Sequence, residues 1–150
     1  MKLTHFIFIL ILFVFLLGCK ARMDVEVEKS NPLAGTTWEL TSGKWSSEDT
    51  TFTFPNSTYD RMVVIYGKTH YAVVGQDTSR KSSHFGVGTY SIDDDNLTFT
   101  SEMCRSYEEI GKSINLKFQI ESDQFILKAK DYRYLGYEWK ELHEVYKRID

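Results

Sequence analysis

The chain has 150 residues, 18 basic against 21 acidic, a formal net charge of −3, and 15% aromatic side chains. That length fits a short leader plus one domain of ordinary size. The near balance of charge, with no Lys/Arg stripe, excludes the electrostatic footprint of a nucleic-acid-binding protein.

Residues 6–17, FIFILILFVFLL, are apolar without a break. The run is shorter than the roughly 20 residues that cross a hydrocarbon core as a helix. Lys2 before it and small residues after it are the parts of a secretory signal. It ends Leu16-Leu17-Gly18-Cys19, which resembles the lipobox of bacterial lipoproteins. The resemblance implies cleavage before Cys19, a diacylglycerol on its sulfur and an acyl group on its new amine. Residues 1–18 are then a lipoprotein signal peptide, and the protein is held to the membrane through its N-terminal lipid. A single acyl chain anchors only marginally, whereas three on one residue hold permanently. Lys20, where inner-membrane lipoproteins carry aspartate, leans towards the outer membrane of the bacterial cell envelope.

Residues 19–31 are expected to be the lipidated cysteine and a charged tether, reaching at most about 40 Å when extended. Pro32 closes the tether, so the folded domain is expected at 32–150. From there the chain alternates with period two, the signature of half-buried strands. Residues 37–45 form a first strand. Residues 61–75 form a hairpin around Gly67-Lys68, and residues 85–104 a second that turns on Asp93-Asp94-Asp95-Asn96. Residues 113–130 form a third, turning at Ser122-Asp123, with Ile114, Leu116, Phe118 and Ile120 on one face. Residues 106–112 have room for one helical turn. Residues 137–149 read as a closing strand, although Leu142, Val145, Tyr146 and Ile149 also lie at helical spacing. The polar connection 45–58 is long enough to be a lid over a barrel mouth or a flexible loop.

About eight antiparallel strands in up-and-down order predict an all-β closed barrel, because closure removes unpaired edges. A barrel of that size is filled by side chains or holds one small ligand. With Cys19 lipidated, Cys104 stands alone and reads as a small buried hydrophobe.

Three segments carry a family resemblance. NPLAGTTWELTSGKW (31–45) resembles the first strand of lipocalin-like bacterial lipoproteins, commonly L-x-G-T-W-x-L, with one residue extra before Trp38. This G-T-x-W form is also similar to small META-type envelope domains. FGVGTYSIDDDNLTF (85–99) resembles the G-x-G-T-Y-x-turn-L strand pair of the lipocalin-like group, and HEVYKRI (143–149) its closing E-x-[WY]-x-R strand. The resemblance implies a lipocalin-like barrel in which Trp38 plugs one end and Arg148 stacks over it, a structural closure.

Chemistry-bearing patterns are few. His70, His84 and His143 have no metal-ligand spacing, and the acidic turn lacks the EF-hand order of ligands. Glu108 and Glu109 are adjacent and point apart. No nucleophile elbow, P-loop or dinucleotide fingerprint is present. No enzymatic activity, metal or cofactor is expected. Tyr66, Tyr71, Tyr90, Phe99, Phe118, Phe125 and Trp139 lie mid-strand. They fill the core or line a cavity. Tyr66, Tyr71, Tyr90, Phe99, Phe118 and Trp139 are the candidates to bind a small hydrophobic ligand. The alternative is a filled barrel that acts as a protein-interaction or inhibitor module of the envelope.

Overall fold

Alternating apolar and polar residues fold into nine antiparallel strands in the computed structural model, which describes residues 30–55, 59–78, 83–134 and 137–150. The expected signal peptide, Cys19 and nearly all of the tether lie outside the described residues. The strands are β1 (Thr36–Ser46), β2 (Thr51–Phe54), β3 (Tyr59–Tyr66), β4 (His70–Asp77), β5 (Ser83–Asp93), β6 (Asn96–Cys104), β7 (Ser113–Glu121), β8 (Gln124–Tyr134) and β9 (Tyr137–Arg148). Each from β3 to β9 pairs with the next, and β9 returns to β1 from Trp38↔Arg148 to Ser46↔Glu141. Eight strands, β1 and β3–β9, therefore close an up-and-down antiparallel barrel, the fold class expected from the alternation.

The hairpins turn where the sequence placed them. β5 and β6 are joined through Asp94 at φ 52°, and β7 and β8 through Ser122 at φ 56°. A positive φ at the first loop position suits the right-handed twist of the flanking strands, and short Asp and Ser side chains tolerate it. Residues 137–148 form a strand and not a helix, because both edges are used: β9 pairs with β8 on one side and β1 on the other. The expected helical turn is a 3-10 turn, Tyr107–Glu109. The connection after β1 holds an element that its polar composition concealed. β2 pairs with Gly43–Ser46 of β1, beyond the stretch of β1 that pairs with β3.

One end of the barrel is sealed. The β3–β4, β5–β6 and β7–β8 turns gather there with the start of β1 and the end of β9. Leu33, Trp38, Leu97 and Phe125 are buried beneath them. The Trp38 indole packs 5.4 Å from the Phe125 ring and donates to Thr36 Oγ1 at 2.7 Å; Thr36 in turn donates to the Leu33 carbonyl at 2.6 Å. Asn31, assigned to the tether by its sequence, is tied into this end. Its amide donates to the Lys68 carbonyl at 3.1 Å and to the Tyr90 hydroxyl at 2.8 Å. Buried polar groups paired in this way avoid the desolvation penalty that unpaired ones incur.

Candidate functional site

The other half of the barrel, towards the end of β1 and the start of β9, is not filled. It holds a half-open cavity of about 350 Å³. The space follows from the sizes of the inward residues. Aliphatic side chains of Met62, Val64, Val73, Ile114, Leu116 and Leu127 form the walls, and these are smaller than the aromatics that pack the sealed end. Tyr66, Phe99 and Tyr146 form the floor, and the Tyr66 ring meets Phe125 edge-on at 5.8 Å. Towards the other end lie Trp45, Tyr132, Tyr134 and Trp139. Trp139 stacks on Tyr132 at 6.3 Å, and Phe52 of β2 meets it edge-on at 6.0 Å. Phe52 places the β1–β3 connection against the cavity; its ring is 50% exposed.

Of the six aromatics singled out as ligand contacts, Tyr66, Tyr71, Phe99 and Trp139 line this cavity together. Tyr90 and Phe118 do not. The Tyr90 hydroxyl is spent at the sealed end, donating to the Gly67 carbonyl at 2.7 Å while accepting from Asn31. Phe118 lies beside Phe125, with ring centres 6.2 Å apart. Cys104 is buried, and its thiol donates to the Ser106 carbonyl at 2.9 Å.

Strict alternation misplaces part of the wall. On β8, Phe125 and Leu127 face inward, as do Tyr132 and Tyr134 further on, so the inward phase moves by one residue around Asp131, at φ 45°. On β9 the same shift separates Trp139 from Leu142, both inward. A residue in the left-handed region changes the direction of its strand, and the next side chain points to the other face.

The most unusual group in the wall is Glu144. It lies on the inward phase of β9 between Leu142 and Tyr146 and is buried. The Trp45 indole donates to one of its oxygens at 2.8 Å, and the Tyr146 hydroxyl donates to the other at 2.7 Å. Burial pushes the Glu144 carboxyl above the usual carboxylate range, and these two hydrogen bonds oppose the shift. The Tyr146 phenol is pushed well above its usual range, by burial first and the neighbouring Glu144 charge second. The Tyr66 phenol is raised by the same two causes in the same order. Among the described residues the Tyr66 hydroxyl is the buried side-chain polar atom without a hydrogen-bond partner. Tyr71 is raised by burial, which a hydrogen bond with Ser101 opposes. His84 also lines the cavity; burial and then Arg105 hold its pKa below the usual histidine range. Glu144 falls within the closing-strand motif, yet no role was assigned to it. The readable signal was a carboxylate on the inward phase of a strand that must bury that face.

The outer wall of the barrel has an apolar region of its own. Val63, Val74 and Phe85 stand side by side across β3, β4 and β5, and Ile65, Ala72, Val87 and Met103 form a parallel row reaching β6.

No protein-family model matches the chain, and no curated protein matches it. Among solved structures, the chain is similar to the crystal structure of a lipocalin-like protein from Bacteroides uniformis. The identity is 11% and the TM-score 0.49, over 78% of this chain and 98% of that one.

Proposed function

We propose that this protein is a membrane-anchored, lipocalin-like lipoprotein that holds a small hydrophobic ligand inside its barrel and carries out no chemistry on it. The observation that carries the reading is the cavity of about 350 Å³ lined mainly by aliphatic and aromatic side chains. Concave, mostly apolar space with a few convergent polar groups is the usual form of a small-molecule site. A filled barrel acting only through protein contacts has no use for such a space. The anchor rests on the Leu16-Leu17-Gly18-Cys19 motif, with the domain at 32–150 carried beyond the membrane on its tether.

Two experiments test the reading. Native mass spectrometry of gently purified protein, followed by organic extraction, should reveal a stoichiometric small-molecule adduct. A bare mass, together with no uptake of an apolar fluorescent probe, would refute the binding function. Metabolic labelling with palmitate should mark the wild-type protein and not the Cys19→Ala variant; equal labelling would refute lipidation at that residue.

A further inference from the structure

The polar groups at the floor of the cavity restrict what can occupy it. The Tyr66 hydroxyl lines the cavity, is fully buried and has no partner among the described residues. An unpaired buried hydroxyl is costly, and a ligand group that pairs with it recovers that cost. Glu144 lines the same cavity, buried, with one oxygen engaged by Trp45 and the other by Tyr146. Both neighbours are placed to donate to it, so its ionised form keeps both hydrogen bonds. Each carboxylate oxygen has a second lone pair, so both can accept again. No Lys or Arg is among the described residues that line the cavity, and burial and then Arg105 favour the neutral form of His84, so nothing there balances a second negative charge. The rest of the wall is mainly aliphatic and aromatic, with His84 and Ser101 among it.

We infer that the ligand is an apolar molecule with a single hydrogen-bond-donating, non-anionic head group seated between Tyr66 and Glu144. Simple carboxylates of the fatty-acid type are thereby disfavoured. The head is a hydroxyl or a protonated amine, which share the needed donor. The inference rests on the proposed ligand-binding function and deepens it. A carboxylate head would face Glu144 at short range in a medium of low dielectric, where like charges repel strongly. A hydrocarbon without a head would leave the Tyr66 hydroxyl unpaired.

The test uses the full-length chain in phospholipid nanodiscs at pH 8, labelled by a photoreactive decane. 1-Decanol, decylamine, decanoate and decane then compete for labelling of cavity peptides. Each competitor is compared between wild type, Tyr66→Phe and Glu144→Gln, so that partitioning into lipid cancels. Circular dichroism establishes that both variants keep their β signal. Decanol or decylamine should protect the wild type at about tenfold lower concentration than in Tyr66→Phe, the factor one hydrogen bond accounts for. Decanoate should compete poorly with the wild type and markedly better with Glu144→Gln. Whichever of decanol and decylamine gains more identifies the head group. Equal competition by decanoate and decanol in the wild type, or no change in Tyr66→Phe, would overturn the inference while leaving ligand binding intact. Absence of cavity labelling in every protein would overturn the binding function, and this inference with it.

Discussion

Trp38 and Arg148 stand opposite each other in the β1–β9 ladder, and the guanidinium carbon of Arg148 lies 6.0 Å from the centre of the Trp38 ring. The pair sits where the first and last strands of the barrel meet. Its two members differ in burial: Trp38 is 1% exposed, whereas 46% of the Arg148 side chain remains accessible and its Nε also donates to Asp150 at 2.8 Å. Trp38→Ala leaves a large void against Phe125 and should cost about 3–5 kcal/mol. Arg148→Ala removes a solvent-screened cation–π contact and should cost under about 1 kcal/mol. Urea unfolding of both variants checks the ordering. A loss for Trp38→Ala no larger than that for Arg148→Ala would refute a closure that depends on the indole.

Glu144 should leave a signature in the pH dependence of stability. Its folded pKa is raised by burial, so the folded protein holds this proton more tightly than the unfolded chain does. Below the unfolded carboxylate pKa, both states are protonated and the group costs no charge burial. As pH rises through that value and then the folded pKa, wild-type protein loses the difference and keeps the loss above it. Glu144→Gln cannot ionise, so the stability of the wild type minus that of the variant should fall across this acid-to-neutral window and then level off. Chemical denaturation of both proteins at a series of pH values measures it. A difference that is flat with pH would contradict a buried, titrating Glu144.

Gly88 has no room for a side chain. The β5–β6 register shifts between Val87 and Gly88, and a Cβ on Gly88 would fall on the Thr100 carbonyl oxygen, a backbone atom that cannot turn aside. Gly88→Ala should therefore destabilise by about 3 kcal/mol or more, at or beyond the usual range for overpacking. At Gly86 the nearest obstacle is a methyl group of Val73 at 3.1 Å, and Gly86→Ala should cost less. Thermal melts of the two variants decide between them. Equal melting points would mean that strand spacing at the shift can relax.

Phe52 should matter for exchange of ligand more than for folding. Its ring is half exposed and lies against Trp139 beside the cavity. Phe52→Ala should move the unfolding midpoint little while hastening release of a bound apolar probe severalfold. Stopped-flow displacement measures the release. An unchanged rate would remove β2 from any gating role.

How much of this was legible in the sequence differs from strand to strand. In β7 the alternation of Ile114, Leu116, Phe118 and Ile120 gave the buried face directly, since every residue there follows period two. In β8 the same rule loses Tyr132 and Tyr134, because the left-handed Asp131 moves the phase, and in β9 a matching shift loses Trp139. β2 was concealed because four residues flanked by polar ones carry too short a pattern to register.

The sequence by itself determined the strands of the barrel other than the short β2, and the hairpin turns between them, because alternation and turn chemistry are local properties that each segment carries alone. It also supplied the apolar run and the cysteine from which a membrane anchor is proposed. Only the tertiary structure decided which inward residues fill the barrel and which surround a space. That depends on the barrel's width and on the combined reach of side chains from eight strands, quantities that no one segment contains. The same holds for Glu144 and Tyr66: a glutamate between two apolar residues and a tyrosine ending a strand acquire their character from the neighbours that folding brings around them.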